Sequence, residues 1–77
     1  MDEIVHSLDL RGVACPMNFV KTKLFLDKLP AEARVDVLLD AGEPVDSVTQ
    51  SLQAEGHHIE RTVAEPGGHY RISVRKG

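Results

Sequence analysis

Hydrophobic and polar residues alternate in short segments of the chain, one of which, residues 34–39, becomes continuously apolar at its end as in an interior strand, and two further segments carry apolar residues at helical spacing. Alternation at every second position is typical of a strand with one buried face, whereas spacings of three and four residues indicate an amphipathic helix. The pattern predicts strands at residues 5–10, 34–39, 58–64 and 70–74, and helices at residues 16–28 and 44–55. The breaks between these segments fall mostly at glycines and prolines, which favour turns over regular structure.

The predicted order of elements is βαβαββ, within a single domain that covers residues 1–77. A chain of this length is expected to form one domain, and no internal repeat or linker divides it. Two helices most simply cover one face of a four-stranded mixed sheet, with right-handed connections between the parallel strands. The predicted fold class is therefore an α/β (α+β) two-layer sandwich with both helices on one face of the sheet.

The first predicted helix carries two sets of apolar positions on different faces. The set expected to face the sheet is Phe19, Thr22, Leu26 and Leu29. The second set lies about 140–160° around the helix and is Met17, Val20 and Leu24. We expect the second set to be partly exposed, since only one face of a helix can lie against the sheet. The second predicted helix has a single stripe, expected to be buried, which is Val45, Val48 and Leu52.

Charge and composition narrow the possible functions. Nine basic residues against twelve acidic ones give a net charge of −3, which argues against general nucleic-acid binding because that usually needs a basic excess. The aromatic residues Phe19, Phe25 and Tyr70 are also too few for recognition of RNA bases by stacking. No apolar run reaches the roughly 18 residues of a membrane-spanning helix, and the acidic residues 1–4 do not resemble a signal peptide. A cytoplasmic protein without a membrane or direct nucleic-acid partner is expected.

The single cysteine, Cys15, directly precedes Pro16, which fits the first position of the first predicted helix. A helix N-terminus carries a partial positive charge and unpaired N–H groups, and both favour the reactive thiolate over the thiol. Cys15 is therefore a candidate nucleophile or sulfur carrier. The alternative is that Cys15 is a buried residue of the hydrophobic core with a structural role only. Since there is no second cysteine, a two-thiol oxidoreductase is disfavoured, whereas sulfur exchange needs little beyond a thiolate and access to it.

Around this cysteine the chain resembles the TusA/SirA-like sulfur-carrier family. The matching residues are Leu8, Asp9, Gly12, Cys15 and Pro16, and the resemblance extends over nearly the whole chain. The family fold is a two-layer βαβαββ sandwich, and its members accept a sulfane sulfur as a persulfide on the Cys-Pro cysteine and pass it to another protein. The resemblance implies that Cys15 bears the persulfide, in tRNA thiolation, molybdenum-cofactor synthesis or sulfur oxidation. The family motif is commonly Cys-Pro-x-Pro, and Asn18 stands where the second proline would be.

The resemblance implies two kinds of partner, a sulfur-donor protein such as a cysteine desulfurase or a rhodanese, and a sulfur-acceptor protein. Met17 and Val20 are expected to help these partners dock, and Lys21 and Lys23 are candidates for a basic docking patch with Arg11. For each basic residue taken alone, a solvated surface position is the alternative. The alternative is a different function on the same fold. The protein would then be a non-catalytic regulatory or interaction module, or a one-thiol redox sensor.

Other polar residues near the cysteine have two interpretations. Asp9 is expected to accept hydrogen bonds from the loop of residues 11–14 and so to fix the cysteine, and the alternative is a solvated strand end. Arg11 either stabilises the anionic sulfur or lies at the surface, while Gly12 keeps the approach to the sulfur uncrowded. Asn18 offers hydrogen-bonding groups in the first helical turn.

Neither a cofactor nor a metal is expected. The carrier chemistry that the resemblance implies requires no cofactor. His57 and His58 are adjacent and would point to opposite faces of a strand, which is poor geometry for shared metal binding. Gly67 and Gly68 indicate a turn and not a phosphate loop, because no P-loop lysine pattern follows them.

Overall fold

Four strands and two helices within residues 5–14 and 16–77 follow one another in the order βαβαββ, as the sequence predicts. These are the residues that the computed structural model describes, so the predictions for the side chain of Cys15 lie outside the described residues. The elements are β1 (Val5–Asp9), α1 (Met17–Asp27), β2 (Arg34–Asp40), α2 (Glu43–Ala54), β3 (His58–Ala64) and β4 (His69–Arg75). Each predicted element is present, and its ends differ from the prediction by at most one residue.

The strands form one mixed sheet in the order β1-β2-β4-β3. β1 and β2 are parallel, with Asp9 opposite Leu38 at the end of the pairing. β4 lies between β2 and β3 and is antiparallel to both, with an irregularity in β3 between Ile59 and Arg61. Because β1 and β2 run in the same direction, both end at the same edge of the sheet, and the loop that follows β1 lies beside the end of β2.

The hydrophobic core lies on one face of the sheet, under both helices. The central strands β2 and β4 contribute completely buried side chains at alternate positions, which are Val35, Val37, Leu39, Ile72 and Val74. The helices contribute Leu26 from α1 and Val45, Val48 and Leu52 from α2. Burial of each of these side chains stabilises the fold by about 1.5–3 kcal/mol relative to an exposed position. The predicted two-layer sandwich, with both helices on one face, is confirmed.

Helix α2 has the composition of a well-defined amphipathic helix. Its first turn contains Glu43 and Asp46, whose negative charges stabilise the positive end of the helix, and Pro44 stands where a missing N–H is tolerated. Its buried stripe is the one that the sequence predicts, Val45, Val48 and Leu52.

Helices α1 and α2 have 11 and 12 residues. Among the described residues, no helix combines the length and apolar character needed to cross a membrane.

Helix α1 buries two polar side chains and exposes large apolar ones. Asn18, Thr22 and Leu26 are four residues apart and are completely buried. The predicted core stripe is right for Thr22 and Leu26, but Phe19 and Leu29 are only half-buried. The structure places Asn18, and not Phe19, at the buried end of this stripe. Apolar residues occur on both faces of α1, so periodicity alone does not fix the rotation of the helix about its axis.

The opposite face of the sheet is polar and carries ion pairs. Glu60 lies 3.5 Å from Arg34 and 3.3 Å from Arg75, and Arg71 lies 3.5 Å from Glu65. A shallow depression of about 200 Å³ lies among these strands. The side chains are partly exposed, so each ion pair contributes at most about 1 kcal/mol. These three arginines are paired with carboxylates, which differs from the unpaired basic surface that nucleic-acid binding uses.

Candidate functional site

The loop of residues 10–14 joins β1 to α1 at the sheet edge where the parallel strands end. Leu10 extends the pairing of β1 with β2 by donating its N–H to the carbonyl of Leu38 at 2.9 Å. Its side chain is buried in the core. Val13 then donates its N–H to the carbonyl of Leu10 at 3.1 Å, which closes a turn. Backbone hydrogen bonds therefore hold this loop at Leu10 and at Val13, which is two residues before Cys15 in the sequence.

Asp9, the last residue of β1, holds Arg11 by three hydrogen bonds. The carboxylate accepts the backbone N–H of Arg11 at 3.1 Å, and it accepts the side-chain Nε and Nη2 at 2.9 and 2.7 Å. The side-chain hydrogen bonds of Arg11, followed by its backbone N–H, lower the pKa of Asp9 from its ordinary 3.8 to about 2. The same contact raises the pKa of Arg11. The predicted hydrogen bond from the loop to Asp9 is present at Arg11, whereas the prediction that it fixes Cys15 lies outside the described residues.

Asp40, the last residue of β2, holds the same loop from the neighbouring strand. Its Oδ2 accepts the backbone N–H of Gly12 at 2.8 Å. Gly12 has a φ of +80°, a conformation that glycine adopts readily and other residues adopt at a cost. Sequence reasoning missed this role of Asp40, because the two residues are 28 positions apart. The available signal is an aspartate directly after the second predicted strand, residues 34–39, since parallel strands joined by a helix end at the same edge of a sheet.

Helix α1 begins directly after the Cys15–Pro16 pair. Asn18 donates its backbone N–H to the carbonyl of Ala14 at 3.2 Å, and Val20 donates to the carbonyl of Pro16 at 3.1 Å. Pro16 is the N-cap residue, with φ −93° and ψ 3°, so the prediction that it is the first helical residue is wrong by one position. It makes no side-chain cap, and no acidic residue in the first turn neutralises the positive end of the helix. The described neighbours of Cys15 on both sides thus belong to the start of α1.

Asn18 is completely buried in the first turn of α1, although its side chain is polar. Its Oδ1 accepts the backbone N–H of Phe19 at 2.7 Å. Its main-chain carbonyl accepts the hydroxyl of Thr22 at 2.8 Å. Its Nδ2 has no hydrogen-bond partner among the described residues. A buried donor without an acceptor costs about 1–3 kcal/mol, so this amide is a costly element of the core.

Three large apolar side chains project from α1 away from the sheet, as the sequence predicts. Met17, Val20 and Leu24 are 50%, 38% and 56% exposed. Together with Lys21, which the helical repeat places among them, we call these residues the outer face of α1. Met17 is two positions after Cys15, so the outer face begins next to the cysteine in the sequence. A group of exposed apolar side chains on one helix face is typical of a surface that binds another protein.

The basic residues that the sequence groups into one docking patch have different environments. Arg11 pairs with Asp9 at 2.7 Å, and Lys23 pairs with Glu55 at the end of α2 at 3.4 Å. Lys21 is exposed and has no ion-pair partner in the part of the chain that the structure describes. Within that part, Lys21 is therefore the member of the group whose charge is unpaired.

Two of the four histidines, His57 and His6, take part in structural contacts. His57 accepts the backbone N–H of Gly77 at its Nδ1, at 3.1 Å. The rings of His6 and Phe25 meet edge to face, with centroids 6.1 Å apart. In residues 5–14 and 16–77, no three His, Cys, Asp or Glu side chains come together in a way that would hold a metal ion.

Comparisons with known proteins identify the family. A profile of the family described as Sulfurtransferase TusA matches residues 6–76. A protein of Archaeoglobus fulgidus named "Putative sulfur carrier protein" is 36% identical to this chain over 52 residues, which make up 68% of this chain and 59% of that protein. The chain thus spans a little over half the length of this relative. The chain belongs to the TusA family.

Two solved structures share the fold. A SirA-like protein from Desulfitobacterium hafniense superposes with a TM-score of 0.82 at 20% identity, over 96% of this chain and 99% of that one. A Helicobacter pylori protein with a known solution structure superposes with a TM-score of 0.69 at 17% identity, over 91% of this chain and 95% of that one. At these identities the likeness shows the βαβαββ fold alone.

Proposed function

We propose that this protein is a sulfur carrier that accepts a sulfane sulfur as a persulfide on Cys15 and transfers it to an acceptor protein. Membership of the TusA family supports the proposal, as does the name of the archaeal relative. The observation that carries it is that the residues on either side of Cys15 in the sequence lie at the start of α1. Ala14 and Pro16, the described neighbours of the cysteine, both accept hydrogen bonds from the first turn of α1.

The proposed chemistry needs one thiolate from this chain. The Cys15 thiolate attacks the outer sulfur of a donor persulfide, so that a new sulfur–sulfur bond forms and the donor's bond breaks. The electron pair of the broken bond leaves on the donor thiolate, and Cys15 becomes a persulfide. In the second half, an acceptor thiolate attacks the outer sulfur and Cys15 leaves as a thiolate. No net oxidation occurs, and no cofactor takes part.

Two features of the described residues favour an anionic sulfur next to α1. The positive end of a helix and its N–H groups stabilise a nearby thiolate, and the first turn of α1 contains no acidic residue to oppose this. The loop before the cysteine is also held in place, through Asp9 on β1 and through Asp40 on β2. A loop that is already ordered loses less conformational freedom when a partner docks.

The outer face of α1 is the proposed docking surface for the donor and the acceptor. Its three apolar side chains are exposed, and Met17 is two positions after Cys15 in the sequence. Lys21 adds a positive charge, so a partner with an apolar groove and an acidic rim would be complementary to this surface. Lys23 and Arg11 contribute at its margin in this proposal, because their ion pairs with Glu55 and Asp9 are solvent-exposed.

The proposed donor is a cysteine desulfurase or a rhodanese, and the proposed acceptor is another protein of a cytoplasmic sulfur relay. Both donors present a persulfide on their own cysteine, which is the species that the chemistry above consumes. tRNA thiolation, molybdenum-cofactor synthesis and sulfur oxidation all use such a relay, and the proposal holds for any of the three.

Transfer from a donor enzyme tests this function against that of a redox sensor. The reduced protein is incubated with cysteine and a cysteine desulfurase, and persulfides are trapped by alkylation. We expect trapped persulfide on the wild type, none on Cys15→Ser, and none without the desulfurase. A protein that forms a mixed disulfide with oxidised glutathione but never accepts sulfur from the desulfurase or a rhodanese would contradict the carrier function and favour the sensor.

A further inference from the structure

The depression of about 200 Å³ on the polar face of the sheet is lined by residues of all four strands. Ser73 of β4 has the shortest side chain among these residues, and β4 lies in the interior of the sheet between β2 and β3. The residues that line the depression with it include Arg34, Arg61 and Arg71. A short side chain among long ones leaves a hollow on a sheet, and Ser73 therefore forms the floor of this one.

The irregularity in β3 places two consecutive charged side chains at this depression. Ile59 and Arg61 pair with consecutive residues of β4, so Glu60 is an extra residue between them. Such a bulge interrupts the alternation of side chains between the two faces of a strand. Strict alternation would direct Arg61 to the same face as Ile59, which packs against the core. Instead both Glu60 and Arg61 line the depression, so the bulge adds the guanidinium of Arg61 to the polar face.

The carboxylates at the depression already have partners. Glu60 lies 3.5 Å from Arg34 and 3.3 Å from Arg75, so two arginines share it. Asp36 accepts a serine hydroxyl at 2.9 Å and lies 3.9 Å from Arg71. Each carboxylate is therefore shared between two donors of the protein itself.

Arg61 and Arg71 have unused hydrogen-bonding capacity. Arg61 is exposed and has no ion-pair partner among the described residues. Arg71 lies 3.5 Å from Glu65 and 3.9 Å from Asp36, longer than the roughly 2.7–2.9 Å of a strong arginine–carboxylate hydrogen bond. Its Nε is enclosed and donates to no acceptor in the part of the chain that the structure describes. A guanidinium has several N–H donors, so both side chains can bind a further acceptor.

We propose that this depression is a binding site for a small oxyanion, such as sulfate or phosphate, held by the guanidiniums of Arg61 and Arg71. Arginine binds such ions through two parallel N–H donors, and hydrogen bonds to a charged group are stronger than those between neutral groups. Within the described residues, three arginines and two carboxylates line the depression, a net charge of +1, although the whole chain carries −3. The local charge therefore favours an anion over a cation at this place.

The site does not depend on the proposed sulfur transfer. Helix α1, which begins directly after the Cys15–Pro16 pair, packs on the opposite face of the sheet. Anion binding in the depression therefore needs no contribution from the cysteine, and binding and sulfur loading are measured separately.

NMR titration of the wild-type protein tests the proposal. Sodium sulfate or sodium phosphate is added, and sodium chloride at the same ionic strength is the reference. We expect the Nε–H resonances of Arg61 and Arg71 and the amide of Ser73 to shift along a saturable curve with either oxyanion. Chloride should leave these resonances nearly unchanged. Shifts of equal size with chloride would show charge screening alone and overturn the proposal.

Arg61→Gln removes one of the two proposed binding groups. Arg61 is exposed on an edge strand, so the fold should tolerate the change. The dissociation constant for sulfate should rise about tenfold or more, the usual effect of losing a hydrogen bond to a charged group. Lys28→Gln is the matched control, since it removes the same charge from an exposed residue at the end of α1 and should keep the wild-type affinity. Equal losses in the two variants would show a general effect of net charge and overturn the proposal.

Two further variants locate the anion. Ser73→Thr keeps the hydroxyl, suits a strand and adds a methyl group to the floor of the hollow, so it should weaken sulfate binding. Cys15→Ser should bind sulfate as tightly as the wild type, because the depression lies on the face of the sheet opposite α1. Wild-type affinity in Ser73→Thr, or loss of binding in Cys15→Ser, would place the anion elsewhere and overturn the proposal.

Discussion

The carboxylate of Asp40 accepts the backbone N–H of Gly12 at 2.8 Å, which ties the loop after β1 to the end of β2. Asp9 holds the same loop from β1 through the backbone and side chain of Arg11. The segment before Cys15 is therefore fixed by two neighbouring parallel strands. Its position depends on the assembled sheet and not on the local sequence alone.

Two substitutions of Asp40 distinguish the effect of its hydrogen bond to Gly12 from the effect of its negative charge. Asp40→Ala should lower the free energy of unfolding by about 1 kcal/mol, the usual net value of one such hydrogen bond, and slow the loading of sulfur onto Cys15. Asp40→Asn keeps an oxygen that can accept the N–H of Gly12. It should therefore retain most of the wild-type stability and most of the loading rate. Denaturant unfolding and loading rates measure the two effects. Equal losses in both variants would show that the carboxylate charge, and not the bond, is what matters.

The Asp9–Arg11 contact predicts an unusually acidic carboxyl group. Because Arg11 lowers the pKa of Asp9 from 3.8 to about 2, this contact stabilises the fold above pH 3.8 and loses that effect as the pH falls from about 3.8 to about 2. NMR titration of the Asp9 carboxyl group should show a midpoint near 2, and Arg11→Gln should return it toward the ordinary value. A wild-type midpoint at the ordinary value would mean that the two side chains do not pair in solution.

The orientation of α1 is tested by two leucines that are two residues apart. Leu26 is completely buried and Leu24 is 56% exposed. Leu26→Ala should cost about 2–5 kcal/mol through lost burial and the cavity it leaves, whereas Leu24→Ala should change the stability by about 0.5 kcal/mol or less. Denaturant unfolding of the two variants measures the difference. Similar losses of stability in both variants would show that α1 is rotated about its axis relative to its orientation in the structure.

The outer face of α1 is tested by a double substitution, Met17→Ser with Val20→Ser. Transfer from a cysteine desulfurase should slow about tenfold or more, because the loss of contact area weakens docking. Loading from polysulfide, which needs no docking, should be unchanged. Val5→Ser is the matched control, since Val5 is as exposed as Met17 but lies on β1. An unchanged transfer rate in the double variant would exclude the outer face as the docking surface.

The order of elements, the buried stripe of α2 and the exposed residues of α1 can be predicted from sequence, because each depends on local spacing. Val45, Val48 and Leu52 are separated by helical intervals, and polar residues occupy most of the other positions of α2. One rotation of that helix therefore buries all three, and the pattern is unambiguous.

The inner face of α1 and the role of Asp40 could not be predicted in the same way. Asn18 is buried while Met17 beside it is half exposed, an inversion of the usual preference that only the packed fold decides. The bond from Gly12 to Asp40 joins residues 28 apart, and it becomes visible once the parallel register of β1 and β2 is known. Long-range contacts of this kind leave little trace in the spacing of residues along the chain.

The central claim is that Cys15 carries sulfur, and intact mass measurement tests it most directly. The reduced protein is incubated with a cysteine desulfurase and cysteine, or with polysulfide, and weighed before and after treatment with a reductant. The carrier function predicts a gain of one sulfur atom that the reductant removes and that Cys15→Ser never shows. No gain on a protein whose Cys15 is still readily alkylated would contradict it.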